Sequence, residues 1–413
     1  MNCPPSLPKD AKVSMVYIED RVTQPPPIDE LENRWSRVRE VMCANNVDAL
    51  IVSGQHGFSG GGGYFRWFTG TTSATSYAQV VIFPTDDLMP LVHHGELCGE
   101  TVHDGSYAGH PGVGRRFTTA SFPSAFYCNS LEADIIAREI RKAGYRRLGL
   151  VGAGAAYHGF IAGLHALLRE FAFIDFSEEI DRIKAVKSAY DVSCIRRSAA
   201  MQDEILAKTL PHIRPGMRDF EILSYSHYVG SLLGSEGGYF LGSSAPYGQP
   251  ALQRLRAFQG RSFRDGDVFI WQCENSGPEG FYTHMSRPIV FGKAPQAVVD
   301  AVEAVVEAEN FLARLLRPAA SCADIFAEYD AYLKERGFPE ERRLACHGQG
   351  YETVERPLVR HDETMNIHAN MNIGMHPYVV KKGISMVLTD NFLTHAGGEA
   401  ELLHKSSRTI IEL

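Results

Sequence analysis

Two stretches of this chain, HIRPGMRDFEIL (residues 212–223) and LLRPAASCADIF (315–326), repeat one pattern. Each holds a helix end, a proline turn and a new helix with an acidic residue near its start. Each also precedes a pair of apolar runs of strand length. An echo of this kind predicts a domain of two similar halves around a shared sheet. Two unrelated helix-turn-helix joints can share such punctuation, so the echo counts only together with the strands that follow it.

Upstream the texture differs. The first 27 residues, with a PPP run, read as an extended arm. LENRWSRVREVMCA places Leu31, Trp35, Val38 and Val41 on one helical face. Short apolar runs follow at DALIVSG, YAQVVIFP, MPLVHHG and RRLGLVG, with a helix at LEADIIAREIRKAG. Strands alternating with helices predict an α/β domain over residues 1–178, leaving 179–413 as a second domain. DRIKAVKSAYDVSCIRRSAAMQDEI reads as a strand end followed by a long helix. In GQHGFSGGGGYFRWFTG (54–70) no G-K-[ST] follows the glycines, which excludes a P-loop. Phe58, Tyr64, Arg66 and Trp67 there suit a loop that covers a substrate, or a surface turn with an aromatic anchor. GLVGAGAA (149–156) closes its α/β unit rather than opening one, so it reads as a strand-to-helix turn. His93, His94, His103 and His110 have no ligand spacing and read as exposed or structural.

A net charge of −8 argues against nucleic acid or an anionic membrane as partner. No apolar run reaches the roughly 18 residues that span a bilayer. The eight cysteines are scattered without a C-x-x-C pair, and MNCPPSLPKDAKVSMVYIEDR lacks the basic and apolar regions of a secretory leader. The expected location is cytoplasmic.

Three histidines stand in frames of their own: His284 in DGDVFIWQCENSGPEGFYTHMSR, His347 in CHGQGYETVERP and His376 in MNIGMHP. These frames, with IKAVKS before them and GGEAELL after them, resemble in order and spacing the segments lining the active site of the pita-bread hydrolases. That family includes methionine aminopeptidase, aminopeptidase P, prolidase and creatinase. The resemblance covers nearly the whole chain. It implies an α+β fold, with a pita-bread catalytic domain after a smaller creatinase-like α/β domain, and a homodimer whose Gly60–Trp67 segment completes the partner's site.

The substitutions within the frames alter the chemistry. Where metal-dependent relatives carry a first aspartate, this chain has Gln272, with Glu274 two residues on and facing the same side. The bridging aspartate becomes His284, the histidine of the HG-x-G element is kept as His347, and the glutamate before Pro377 becomes His376. The last bridging glutamate falls at Thr389, beside Asp390, and a downstream histidine falls at Val354. The acid/base histidine of creatinase corresponds, by the following proline, to Gln249. A metal pair needs bridging carboxylates to offset the repulsion of two dications, so an ordinary dinuclear aminopeptidase is not expected.

Two chemistries remain for the three histidines. One divalent ion, zinc or iron, held by His284, His347 and His376 would support lyase or oxygen chemistry. Without metal, the same rings become acid/base groups for hydrolysis of an amide or amidino C–N bond in a small polar substrate, as in creatinase. Glu274, Glu352 and Glu355 are then the candidates to orient a ring, and Gln249, Gln272, Tyr64 and Trp67 to contact substrate. Arg287 is read either as a buried structural pair or as the binder of a substrate carboxylate. A third reading is a non-catalytic binding module on the same fold; the gain of histidines, and the lack of an acidic tail, count against it.

Overall fold

In the computed structural model, residues 25–54, 63–72, 77 and 79–413 are described. The chain divides into two compact units, Met1–Ile183 and Lys184–Leu413. No described helix is long and apolar enough to cross a membrane.

The N-terminal unit runs α1 (Ile28–Ala44), β1 (Ala49–Ser53), α2 (Gly63–Thr69), β2 (Gln79–Pro84), β3 (Met89–His94), β4 (Gly99–Val102), β5 (Val113–Thr119), α3 (Leu131–Ala143), β6 (Arg147–Val151), α4 (His158–Leu167) and β7 (Ala172–Asp175). Its mixed sheet has the order β4-β5-β3-β2-β1-β6-β7. β1 and β2 are buried at every position, which is why their sequences read as unbroken apolar runs rather than alternating ones. Ile136, Ala137, Ile140, Phe160 and Leu164 of α3 and α4 pack on Ala49, Ile51, Val80 and Ile82.

Two local expectations need correction. The glycine-aromatic stretch read as a loop is, from Gly63 onward, the helix α2, while Gly60–Gly62 and Phe58 lie outside the described residues. Trp67 is 3% exposed, packs edge-on to Phe68 and lies under the Arg34 guanidinium. Burial of the aromatic face drives this segment to fold as a helix, and a core residue cannot present its ring to substrate from here. The stretch read as a strand end is a further helix, α5 (Ser177–Ala185). Its apolar residues Ile180 and Ile183 are spaced three apart, and that helical signal was outweighed by the short apolar run.

The C-terminal unit begins its core with α6 (Ala189–Thr209), entered through a capping box of Ser188 and Asp191. Then come α7 (Asp219–Leu232), β8 (Gly237–Pro246), β9 (Asp267–Ser276) and β10 (Tyr282–Val290). The second helix pair is α8 (Gln296–Leu315) and α9 (Cys322–Glu335), followed by β11 (Cys346–Gly348), β12 (Glu355–Val359), β13 (Asn372–Met375), β14 (Tyr378–Lys381), β15 (Ile384–Val387), β16 (Asp390–Leu393), β17 (Glu401–Leu402) and β18 (Ile411–Glu412). The two echoed segments are the joints α6–α7 and α8–α9, and each helix pair leads into its own sheet. One sheet has the order β18-β10-β9-β8 and the other β12-β11-β13-β16-β17. They meet where Ser286 bridges Thr389, between β10 and β16. Val298, Ala301, Val302, Val305, Ala308 and Leu312 form the buried stripe of α8, at the spacing of one helical face.

Candidate active site

β9 and β10 pair antiparallel with Glu274 opposite His284 and Gln272 opposite Ser286, so Gln272, Glu274 and His284 share one face. In the second sheet, β11, β13 and β16 align His347 opposite Gly374 and Gly374 opposite Asn391. A glycine is required at 374, because a Cβ there would collide with His284 Nε2. The missing side chain leaves the space that the His284 ring fills. His376 follows β13 directly, before Pro377.

These elements bring the three rings together. Ring centroids lie 5.3 Å apart for His284–His347, 6.0 Å for His284–His376 and 5.4 Å for His347–His376. With Gln272 and Glu274 they line a cavity of about 550 Å³. Apolar groups, among them Leu241, Val354 and Met386, make up part of its wall, and Arg342 and Arg343 stand at its rim.

Most polar groups have a defined partner; His284 Nε2 is buried without one among the described residues. Glu274 Oε1 accepts from Gln349 Nε2 at 3.2 Å and lies 3.6 Å from His284 Nδ1. Burial alone would raise its pKa, but His284, His347 and Arg343 hold the carboxyl below the usual range. His347 Nδ1 donates to the Gly348 carbonyl at 3.0 Å, which leaves its Nε2 as the acceptor. Burial first, then His284, push His347 down to about 4. Burial and the two neighbouring rings hold His376 well below its ordinary value. The Arg343 guanidinium donates to His376 Nε2 at 3.2 Å. Asn391 fixes the floor: its Oδ1 accepts from the His284 backbone at 2.7 Å and its Nδ2 donates to Gln349 Oε1 at 2.9 Å. Gln253 Nε2 donates to Gln272 Oε1.

Other residues singled out from the sequence lie elsewhere. Arg287 is fully buried and forks onto Asp390, at 2.9 and 3.1 Å, with His404 on the same carboxylate at 2.9 Å. Burial would raise Asp390, but Arg287 and His404 hold it low. Arg287 therefore ties β10 to β16 and does not line the cavity. Glu355 is clamped by Lys184 at 3.2 Å and Lys187 at 2.9 Å, and against the cost of burial these two ammonium groups lower it to about 2. It orients no ring. Glu352 is pushed up to about 8 by burial and by Glu355, against the pull of Lys184, and is not among the lining residues. Gln249 is exposed and outside the cavity; the glutamine that reaches it is Gln253. Tyr64 belongs to the N-terminal unit, where its hydroxyl donates to Asp181 at 2.6 Å. Sequence reasoning missed Gln253, Arg343, Gln349, Gly374 and Asn391. The only signal was closeness to a frame: Arg343 and Gln349 flank His347, and Asn391 follows Asp390.

A pair of metal ions does not fit this donor set. On the floor the carboxylate is Glu274; Asp390 is held by Arg287 and His404, and Glu341 accepts the backbone N–H groups of Arg343 and Leu344. Gln272 and Thr389 are neutral and cannot bridge two dications. Among the described residues no group of three or more His, Cys, Asp or Glu is arranged to hold an ion.

Residues 193–396 match the model of metallopeptidase family M24. An uncharacterized hydrolase/peptidase of Sinorhizobium fredii is 23% identical over 76% of this chain and 79% of its own length. An uncharacterized peptidase of Staphylococcus aureus is also 23% identical, over 56% of this chain and 66% of its own. Among solved structures, the X-Pro aminopeptidase of Thermotoga maritima superposes with a TM-score of 0.73 at 15% identity, covering 92% of this chain and 99% of that one. The Xaa-Pro dipeptidase of Bacillus anthracis gives 0.71 at 16% identity, over 93% and 100%. The fold is the pita-bread fold.

Proposed function

This chain carries a domain of metallopeptidase family M24 on a pita-bread fold, and from that premise we propose that it hydrolyses a C–N bond, amide or amidino, in a small carboxylate-bearing substrate without a pair of metal ions. The observation that carries the reading is Glu274: an ionised carboxylate between His284 and Gln349, in a cavity with Arg343 at its rim. Glu274 takes a proton from water as the water oxygen attacks the carbonyl or amidino carbon. The C–O bond forms and the π pair moves to the heteroatom. When the tetrahedral adduct collapses, the C–N bond breaks and Glu274 returns the proton to the leaving nitrogen. His347 Nε2, with Nδ1–H committed to Gly348, accepts an N–H of the substrate. Arg343 receives the substrate carboxylate.

The test is amine or ammonia release from a panel of small carboxylate-bearing amides, amidines and guanidines. Turnover is expected, with Glu274→Gln slowing it by roughly 10²–10⁴-fold, the range for loss of a general base. Undiminished turnover by Glu274→Gln would overturn the role of Glu274, and inertness of the wild type across the panel would overturn the reaction class.

A second reading has one observation in its favour. Ring centroids 5.3–6.0 Å apart bring His284, His347 and His376 within reach of a single zinc or iron ion, although as they stand the three rings do not form a ligand set. Such an ion would supply Lewis-acid polarisation and a bound water of lowered pKa. Against it stand the Arg343 cation on His376 Nε2 and the packing of His284 Nε2 against Gly374.

A further inference from the structure

The N-terminal unit holds a polar cluster that the reaction proposed above does not use. β3 and β4 flank β5, with His93 and Gly99 opposite Thr118 and with Thr101 opposite Arg116. Strand alternation puts His93, Arg116 and Thr118 on one face, and His103, two residues past Thr101, continues it. The opposite face, with Val92 and Phe117, belongs to the apolar core under α3 and α4.

On the polar face four buried side-chain atoms have no hydrogen-bond partner among the described residues: His93 Nε2, His103 Nε2, Arg116 Nε and Thr118 Oγ1. Groups of this kind are rare one at a time, and four together call for a ligand or ordered water. His93 pairs with Thr118 across β3 and β5, and the His103 backbone N–H donates to the Gly114 carbonyl at 2.8 Å, so both residues border Arg116 along the sheet. Asp104 also acts on His103, but its carboxylate accepts from the Ser106 backbone at 3.0 Å and hydroxyl at 2.6 Å. The adjacent Arg115 provides the contrast, since it is paired with Glu100 and Glu139. Among the described residues, no carboxylate is paired with Arg116 as Glu100 and Glu139 are with Arg115.

We propose that this face binds a phosphate-class oxyanion, with the Arg116 fork, the Thr118 hydroxyl and the His103 Nε2–H group as donors. Calorimetric titration of the full-length protein with inorganic phosphate tests it. Saturable binding is expected, weakened at least roughly tenfold by Arg116→Gln and by His103→Gln. Tighter binding of a phosphate monoester than of phosphate would assign the site to a phosphoryl group on a larger molecule; the reverse order would assign it to the free ion. His103→Gln decides the matter if circular dichroism shows Arg116→Gln misfolded. No saturable phosphate binding, binding unchanged in the folded variants, or acetate binding as tightly as phosphate would overturn the proposal.

Discussion

In the proposed reaction, Glu274 and His347 set the pH behaviour. Glu274 acts as a base only when ionised, and it is held below the usual carboxylate range. His347 accepts a hydrogen bond only when neutral, which at a pKa of about 4 it remains through weakly acidic conditions. Both requirements fail in the same direction, toward acid. The expected kcat/KM profile is flat from neutral pH down to ~5 and falls through ~4. An acid limb at pH ~6–7, the range of an unperturbed histidine, would mean that a different ring controls turnover. The same burial affects folding. The folded state disfavours the protonated His347 ring, so the unfolded chain binds the extra proton as pH drops from 6.5 to about 4. Stability from this group is complete above the unfolded value and declines below it, by about 3 kcal/mol in all. Arg343 belongs to recognition rather than to chemistry. Arg343→Gln removes a charge-assisted contact of about 1.5–3 kcal/mol, so KM for a carboxylate substrate should rise roughly 10–100-fold with kcat little changed. Steady-state kinetics separates the two constants, and an equal loss in kcat would move Arg343 into the catalytic step.

At the scale of elements, the site is a joint between two sheets. β9 and β10 supply Glu274 and His284, and β11 and β13 supply His347 and the approach to His376. The Arg287–Asp390 pair locks β10 to β16 beneath them, and breaking such a buried pair costs about 3–5 kcal/mol. Gly374 is where the sheets interlock most closely. Gly374→Ala should displace the His284 ring and cut activity by roughly 10²-fold while the circular dichroism spectrum stays that of the wild type. Full activity in Gly374→Ala would mean that the position of His284 is immaterial. Much of this scale was legible in the sequence: the helices 131–143 and 189–209, four of the seven strands of the N-terminal sheet (β1, β2, β3 and β6) and the two helix-turn-helix joints follow from apolar periodicity and turn residues, whereas β4, β5 and β7 carry no such run. What was not legible follows from tertiary burial. α2 is a helix because its aromatics pack on α1 and β2, and α5 is one despite a short apolar run typical of strands. Gly374 and Gln349 acquire their roles only when separate strands are brought into register, and local sequence does not encode that register.

At the scale of the molecule, the pita-bread fold places a cavity where the two helix–strand halves meet, and residues from the three histidine frames line it. Three histidines on three different elements converge because the fold aligns those elements, not because their spacing in the chain suggests it. Gln249, carried over by its following proline, lies on the surface and does not reach the cavity, whereas Gln253, a few residues on, does. On the proposed reading, this pita-bread scaffold holds no metal pair and keeps a pocket for C–N bond hydrolysis. Elemental analysis of protein purified without chelator, read as equivalents per chain, tests it most directly. Fewer than two equivalents are expected, with turnover that does not increase when a second is added. Two tightly held equivalents per chain, with activity lost on their removal and restored with them, would contradict it.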